Sequence, residues 1–576
     1  MLNLPLSLVA SFLLWSVSVR GADYRWPSLQ YDALEEFLYE GIRPDGSSMA
    51  DLVRPCKMRG GTNTTVAAEW LRLVYHDTAT HNISDGTGGL DGSIFFETHR
   101  AESFGAGMNN TLNDFSAFPN KYVTRADLIA VATVWAVATC SGPVIPIRGG
   151  RVDAETAGPF GVPTPADSLE SLTANFAKQG FNVTEMIQLV ACGHTLGGVR
   201  SPDFPTIVSP GSNPSDVVIA LFDDTQQFDH KIITQYLDST TQDPLITFNQ
   251  TMASDRRIFG SDNNATMQSM ATPESFSSTC VKIIDKMLNT VPSTVTLTDE
   301  ITLLPVKVSA VQLTLAGSQM QFQASVRLIQ STSTTSVNMY WCDRYGAAAD
   351  CKSGLKRFAA PGGSSTVSSP TSEAMGVTLK KYQFVVPVDV SQSVAKFWFV
   401  VDYGNGTKTV ADNGGTNYVV EQDDVLWVPS QSRAKSVLTG SHGWLITAAV
   451  KTATAPKRVY MDCFGRATTN YIALNATFDL ALNSSLPAVG GYEFYTGTAM
   501  GEFGQSMSFE LTSVAADGKV AVDTYRQAGL IGVALAATSA VNTTTSSSVG
   551  GKSGAWAVAP PWGVLGLLSV WTLATL

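Results

Sequence analysis

Apolar positions recur at helical spacing in the first half of the chain and alternate with polar positions in the second half. Four segments predict helices: residues 67–77, 123–138, 186–197 and 275–288. Asn182 followed by Glu185 has the spacing of a capping box, which indicates that the third of these helices begins there. From about residue 292, Thr, Ser and Val alternate in short runs separated by Gly, Asn and Asp. The pattern predicts a mainly α domain followed by an all-β, sandwich-like domain.

Length and charge narrow the class of protein. A chain of 576 residues is too long for one ordinary core, so at least two domains are expected. A hydrophobic content of 44% and a charged content of 15% are typical of globular proteins. The formal net charge of −11 argues against a nucleic-acid-binding role, because no basic stripe is available to neutralise phosphates.

The two ends of the chain resemble processing signals. An apolar run over residues 6–19 predicts a signal peptide. Val19 and Gly21 are small enough for the positions before a cleavage site, so cleavage is expected after residue 21; an uncleaved anchor is the alternative. Near the other end, small and hydroxyl residues precede an apolar tail over residues 556–576. This order resembles a signal for a glycosylphosphatidylinositol (GPI) anchor, and a single transmembrane helix, which Pro560 and Pro561 disfavour, is the alternative.

These signals divide the chain into five parts. The expected parts are a signal peptide, a helical domain, a β-rich domain, a Ser/Thr/Gly stalk and an anchor signal, at residues 1–21, 22–292, 293–536, 537–552 and 553–576. Ten Asn-x-Ser/Thr sequons agree with a secreted glycoprotein: Asn63, Asn82, Asn109, Asn182, Asn249, Asn264, Asn405, Asn475, Asn483 and Asn542. The predicted location is extracellular, attached to the membrane or cell wall through the lipid anchor.

Two of the six histidines lie in helices with chemically suggestive neighbours. Arg72 and His76 are four residues apart, so on a helix they share one face. A cation beside a neutral base suits the cleavage of a peroxide O–O bond, with His76 moving the proton and Arg72 stabilising the developing charge. His194, in the third predicted helix, would bind iron from the other side. His81, His99, His230 and His442 lack such neighbours and are interpreted as ordinary polar residues.

The order of three motifs carries a family resemblance. Arg-x-x-x-His-Asp at residues 72–77, Gly-Gly-Leu-Asp-Gly-Ser at residues 88–93 and Gly-His-Thr-Leu-Gly at residues 193–197 resemble the plant, fungal and bacterial haem peroxidase superfamily. The secreted fungal branch, with the lignin and manganese peroxidases, is the most similar. The resemblance covers about residues 45 to 290. It implies haem b as cofactor, Arg72 and His76 as catalytic residues and His194 as the axial iron ligand.

The resemblance also assigns neighbours of the haem. The carboxylate partner of the proximal histidine would be Asp255, in Ser254-Asp255. Tyr75 stands where the family usually has Phe or Trp on the distal side, and Phe222 stands where some members carry a radical-forming Trp.

Two positions depart from the family pattern. The Asn that orients the distal histidine is replaced: Ser103 or Gly105 occupies its position, and nearby Asn109 is a second candidate for its role. Arg200 stands where manganese-oxidising members have an acid, which argues against a manganese site.

Secreted family members bind two calcium ions, and this chain has matching oxygen donors. The distal set implied by the resemblance is Asp77, Gly89, Asp91 and Ser93. The proximal set is Thr195, Asp223, Thr225 and Asp229.

Seven cysteines allow at most three internal disulfides and leave one thiol. The resemblance implies a bridge between Cys56 and Cys140. Cys342 and Cys351 are close enough in sequence to pair within a hairpin. Cys192, Cys280 and Cys463 stay unassigned.

The sequence therefore predicts a secreted haem peroxidase that uses H₂O₂ to oxidise small one-electron donors, phenolic or similar. The alternative is a catalytically weak scaffold of the same fold that acts as a structural or adhesion protein at the cell surface. The reducing substrate, the ligand of the β-rich domain and the oligomeric state are left open.

Overall fold

The computed structural model describes residues 29–43, 47–62, 64–212, 217–330, 334, 336–351, 356–436, 442–466, 473–500 and 506–529. The predicted signal peptide, stalk and anchor signal lie outside these residues. Within the described residues, no helix combines the length and the apolar character needed to cross a membrane.

The first half is helical, as predicted. Its helices are α1 Leu29–Glu40, α2 Ala50–Val53, α3 Val66–Thr78, α4 Ala106–Phe115, α5 Arg125–Thr139, α6 Leu169–Lys178, α7 Val183–His194, α8 Lys231–Leu237, α9 Pro244–Thr247, α10 Ser254–Phe259, α11 Ala265–Ser269 and α12 Pro273–Leu288. Two short strands, β1 Gly198–Arg200 and β2 Ile219–Leu221, pair antiparallel just after α7.

Side-chain caps and burial explain where the main helices lie. Thr65 accepts the N–H of Ala68 at the start of α3, and Asn182 forms the predicted capping box with Glu185 at the start of α7. Nearly every residue of α5 is buried, which is why its apolar run continues around the whole helix. The four predicted helices are thus confirmed, with ends that differ by a few residues.

The second half consists of antiparallel strands with one short helix, α13 Pro370–Ala374. The strands are β3 Val306–Ala316, β4 Gln319–Ile329, β5 Ser336–Cys342, β6 Arg357–Ala359, β7 Gly363–Val367, β8 Leu379–Val388, β9 Lys396–Asp402, β10 Lys408–Ala411, β11 Tyr418–Val419, β12 Val425–Trp427, β13 Arg433–Ser436, β14 His442–Lys451, β15 Arg458–Arg466, β16 Ala473–Asp479, β17 Ala481–Leu482, β18 Tyr492–Ala499, β19 Ser506–Val514 and β20 Val520–Gly529.

The strands form several sheets rather than one. Their orders are β3-β4-β8-β7, β10-β9-β5-β6 with β11 beside β9, β12-β14-β18-β17 with β13 beside β14, and β16-β15-β19-β20. Two separate apolar cores lie between them. Strand β14 contributes Ala449 to the first core and Ile446 and Ala448 to the second, because successive strand residues point to opposite faces. The predicted all-β region is confirmed, and its division into two cores was not visible in the sequence.

Buried ion pairs join helix α1 to the β3-β4-β8-β7 sheet. Lys307 on β3 pairs with Asp32, and Arg327 on β4 pairs with Glu35 at 2.6 Å and with Glu40 at 3.4 Å. Lys381 on β8 pairs with Glu36 and Glu40. The apolar core of the helical half also continues into this sheet through Val367 and Leu379. The two halves therefore share one packed interface, although the predicted boundary near residue 292 stays a prediction.

Three disulfides close loops in the described part of the chain. The two predicted pairs, Cys56–Cys140 and Cys342–Cys351, are present. The third joins Cys192 on α7 to Cys280 on α12, a pairing that the sequence left unassigned. Cys463 is buried and unbonded, and burial raises the pKa of its thiol to about 12.

Replacing Arg327 with Met is expected to lower the free energy of unfolding by about 3–5 kcal/mol. The reason is that Glu35 and Glu40 would stay buried without this partner, and both pairs are fully shielded from solvent. Denaturant titration of both proteins measures the difference.

The matched control is Arg458→Met, which removes an exposed ion pair with Asp479. We expect it to cost less than about 1 kcal/mol. Equal losses in the two variants would contradict a stabilising role for the buried pairs.

Candidate active site

Helices α3 and α7 contribute to one cavity of about 320 Å³ with mainly apolar walls. Residues singled out in the sequence line it, among them Arg72, Tyr75, His76, His194, Arg200, Phe222 and Asp255. Cavities of this size and character are typical of small-molecule and cofactor sites. The fold therefore brings residues from across nearly two hundred positions of sequence to one place.

On α3, His76 is held where it stays neutral. Burial, followed by the positive charge of Arg72, lowers the pKa of His76 well below its usual range. Its Nδ1 lies 3.4 Å from Oγ of the buried Ser103. Arg72 donates from Nη2 to the carbonyl oxygen of Phe104 at 3.0 Å. A neutral base and a cation therefore lie side by side in a poorly solvated site.

The three candidates for the missing distal amide are separated by the structure. Ser103 contacts His76, whereas Asn109 is exposed on α4. Gly105 has a φ of +125°, and a Cβ there would lie 2.8 Å from Asp203 and 3.2 Å from Arg72. Of the three, Ser103 is therefore the residue in contact with the imidazole, and Gly105 lets the chain pass close to Arg72.

Tyr75 carries a buried phenol on the same side of the cavity. Its ring stacks on Phe176 with centroids 6.0 Å apart and meets His76 edge-on at 6.4 Å. The hydroxyl is buried and has no hydrogen-bond partner in the structure. Burial raises the pKa of this phenol far above its usual value, so it stays protonated.

His194 at the end of α7 is fixed by two contacts. Its Nδ1 lies 2.5 Å from Oδ2 of Asp255, whose other oxygen accepts from Ser254 Oγ at 3.0 Å. Phe222 stacks on the imidazole with centroids 4.2 Å apart and an angle of 9° between the rings. Because Nδ1 is engaged with the carboxylate, Nε2 is left to coordinate a metal.

Two further charged residues line this cavity: Glu69, which sequence reasoning missed, and Arg200, which it used only as an argument against manganese. Glu69 is buried and accepts from Arg59 at 2.6 Å. Arg200, at 3.8 Å from Asp203, has buried Nε and Nη1 atoms without hydrogen-bond partners. Helical spacing could have placed Glu69 beside Arg72 in advance, since the two are three residues apart.

The four residues of the predicted distal calcium set lie around the end of α3. Asp77 is fully buried, and its carboxylate accepts the N–H groups of Gly92 and Ile94. Burial, and then the charge of Asp91, raises the pKa of Asp77 well above its usual range. Ser93 Oγ is buried without a partner. Gly89 has a φ of +110°, and a Cβ there would be 2.5 Å from the carbonyl oxygen of Thr290.

The predicted proximal set is also brought together. Thr195 Oγ1 donates to the carbonyl oxygen of Asp229 at 2.6 Å, and Thr225 Oγ1 lies 3.2 Å from its carboxylate. Burial raises the pKa of Asp223 to about 7, and the charge of Asp229 adds to this shift. Oδ2 of Asp223 has no hydrogen-bond partner. Among the described residues, no group of three or more His, Cys, Asp and Glu side chains is arranged to hold a metal ion.

Comparisons with known proteins agree with this geometry. A family model described as "Peroxidase" matches residues 51–302. Manganese peroxidase 3 of Phlebia radiata is 33% identical over 193 residues, which is 31% of this chain and 52% of the relative. The peroxisomal L-ascorbate peroxidase 5 of Arabidopsis thaliana is 33% identical over 129 residues, covering 22% of this chain and 46% of the relative.

A longer match reaches into the β-rich region. A WSC domain-containing protein of Arthroderma benhamiae is 36% identical over 386 residues, 65% of this chain and 52% of the relative. Residues 1–302 make up little more than half of the chain, so this similarity continues past the helical half. The chain spans about half the length of the curated relatives it matches.

The cavity residues and the family match lie in the same helical half of the chain. Residues 51–302 of this chain match the peroxidase family.

Proposed function

We propose that the chain is a haem-dependent peroxidase that uses H₂O₂ to oxidise small one-electron donors. The observation that carries this proposal is a single cavity lined by both pairs, Arg72 with His76 and His194 with Asp255. One pair has the chemistry to move a proton and stabilise charge. The other has the chemistry of an oriented, electron-rich metal ligand.

The residues present fit haem. His194 would ligate the iron through Nε2, since Asp255 engages its Nδ1. The apolar lining suits a porphyrin, and the unpartnered, buried nitrogens of Arg200 are suited to its propionate groups. Haem, when bound, supplies the iron at which the O–O bond of peroxide is broken and through which donors are oxidised.

His76 transfers the proton in this reaction, and Arg72 stabilises charge. Neutral His76 takes the proton from one oxygen of H₂O₂ and returns it to the other, which leaves as water. Arg72 stabilises the negative charge that develops on the leaving oxygen. Ser103 positions the imidazole through Nδ1, with a 3.4 Å contact that is weaker than a normal hydrogen bond.

The donor we propose is a small organic molecule rather than manganese. Arg200 and Glu69 both line the cavity, and the positive charge of Arg200 acts to lower the pKa of the Glu69 carboxyl. The same charge would repel a divalent cation bound there. This agrees with the position of Arg200 in the sequence, where manganese-oxidising members have an acid. A phenolic or similar reductant requires no cation site.

Two calcium ions complete the proposal. In each predicted set the charge of one acid raises the pKa of another, Asp91 that of Asp77 and Asp229 that of Asp223. Each set also has a buried oxygen without a hydrogen-bond partner, Ser93 Oγ or Asp223 Oδ2. Ca²⁺ prefers such clusters of carboxylate, hydroxyl and carbonyl oxygens, and its charge would relieve the repulsion between the acids. The ions would stabilise the ends of α3 and α7, which carry the two histidines.

We further propose an extracellular protein attached to the cell surface. The sequons, the terminal signals and the similarity to a WSC domain-containing protein support this location. A second candidate function follows from the same relative: a surface protein whose peroxidase domain is a scaffold with little activity. Haem binding without peroxide turnover would favour this second function.

Replacing His76 with Leu is expected to reduce peroxide-dependent oxidation of a generic phenol by about 10²–10⁴-fold while haem stays bound. The proton carrier is lost, whereas His194 and its partner are untouched. Stopped-flow kinetics with peroxide and the Soret absorbance of the purified protein give the two readouts.

The matched control is His99→Leu, because His99 is exposed and does not line the cavity. It should keep full activity. A His194→Ala variant that retained haem-dependent turnover, or a purified protein that bound no haem, would overturn the proposed function.

Replacing Ser103 with Ala is expected to slow the reaction with peroxide roughly fivefold, since a weak hydrogen bond is worth about 1 kcal/mol. The exposed Asn109 lies outside this contact, so Asn109→Ala should react like the unaltered protein. The opposite order of effects would assign the orienting role to Asn109.

Removing calcium with a chelator should lower the unfolding temperature, and added Ca²⁺ should restore it. Calcium at a hundredfold excess over its Kd would contribute about 2.7 kcal/mol. The variants Asp77→Asn and Asp223→Asn should each weaken the response, while Asp85→Asn in an exposed loop should not. Thermal scans at constant ionic strength test this, and identical curves with and without Ca²⁺ would refute it.

A further inference from the structure

A buried carboxyl group that the mechanism above does not use lies behind the His194–Asp255 pair. Asp243 is fully buried at the start of the short helix α9. Its Oδ1 accepts the backbone N–H of Leu245 at 2.7 Å, and its Oδ2 is buried without a hydrogen-bond partner. The groups that act on it electrostatically include two other acids, Asp255 and Asp223. Nothing in the motifs of the sequence pointed to this residue.

Asp243 and Asp255 cannot both be ionised at low cost. They are within hydrogen-bonding reach of one another, and both are buried. Two buried carboxylates at this separation repel strongly, so one of them keeps a proton. Burial, then the charge of Asp255, raises the pKa of Asp243 well above its usual range.

The contacts decide which carboxyl group keeps the proton. Asp255 receives hydrogen bonds on both oxygens, from His194 Nδ1 at 2.5 Å and from Ser254 Oγ at 3.0 Å. Both oxygens of Asp255 therefore already act as acceptors. Asp243 receives a single backbone N–H, and its second oxygen is unsatisfied. A proton on Asp243 satisfies that oxygen and gives Asp255 a third donor.

We propose that Asp243 is a neutral carboxylic acid that donates a hydrogen bond to Asp255 and thereby limits how strongly Asp255 attracts the Nδ1 proton of His194. Asp243 is then a positioning residue for the proximal ligand. Phe222, which stacks on His194, has no N–H with which to do this. The inference rests on the proposed haem-binding function for its consequence, but the protonation of Asp243 does not depend on haem.

The consequence is a tuned reduction potential. A carboxylate that shares its charge with a second donor is a weaker base toward the imidazole N–H. The imidazole then has less anionic character, donates less electron density to iron, and leaves the ferrous state easier to reach. Loss of the Asp243 donor should therefore shift the midpoint potential to more negative values.

The experiment compares two replacements of Asp243 in the full chain. Asp243→Asn keeps an N–H donor of similar shape, whereas Asp243→Gly removes the donor and leaves a residue that is accepted at helix N-caps. In the haem-loaded protein, Asp243→Gly should lower the ferric/ferrous midpoint potential by on the order of 59 mV, a tenfold change for one electron. Its iron–histidine stretching frequency in resonance Raman should rise. Asp243→Asn should stay close to the unaltered protein in both measurements.

A haem-free readout separates this inference from the proposed function. At neutral pH and saturating Ca²⁺, the infrared difference spectrum of the unaltered apoprotein minus Asp243→Asn should contain the carbonyl band of one protonated carboxyl group. The difference against Asp243→Gly should contain the same band. The control Ser168→Ala removes the exposed cap of α6, a helix that carries neither histidine, so it should lower stability without changing the band or the potential.

Two results would overturn the proposal: no protonated-carboxyl band in the difference between the unaltered apoprotein and Asp243→Asn, or an unchanged potential in Asp243→Gly. A protein that binds no haem would refute the proposed function, and the infrared band would still report on Asp243.

Discussion

The hydrogen bond between His194 and Asp255 is the constraint on which the candidate site depends. It joins the last residue of α7 to the first turn of α10, two segments 61 residues apart in sequence. A ring held at Nδ1 by a carboxylate can present only Nε2 to the cavity. The capping box at the start of α7 and the Cys192–Cys280 disulfide to α12 fix the helix that carries this ring. Local folding signals and a covalent bond thus support one imidazole orientation.

Burial shapes the chemistry on both sides of the cavity. On α3 it lowers the pKa of both His76 and Arg72. The imidazole is thereby favoured in its neutral form, whereas the guanidinium starts from a far higher pKa and is supported by the charge of Asp203. Behind α7 the same physical effect disfavours two adjacent carboxylates, so that one acid becomes a donor to the other. With the proposed roles, these differences in solvation would give the site a neutral base beside a cation, and a proximal imidazole whose basicity Asp243 adjusts.

The β-rich region is part of the structural framework of the helical half. Acids on α1 pair with three bases on three neighbouring strands, and apolar side chains from β7 and β8 enter the helical core. These ionic contacts require α1 and the sheet to be positioned accurately against each other, because a buried charge without a partner lowers the stability of the fold. The similarity to the Arthroderma benhamiae protein extends into the same region. The two halves of the chain are accordingly best regarded as folding partners.

The sequence by itself determined the helical half, the all-β half and most of the residues around the cavity. Arg72 and His76 could be paired because helical spacing is local, and Cys342 with Cys351 because the two are close in the chain. Tertiary structure alone selected Ser103 over Asn109, paired Cys192 with Cys280, divided the β region into two cores and placed Asp243 against Asp255. Each of these depends on contacts between segments distant in sequence or on small shifts of a loop. Periodicity and motif spacing record which face of an element is apolar, but not which distant element packs against it.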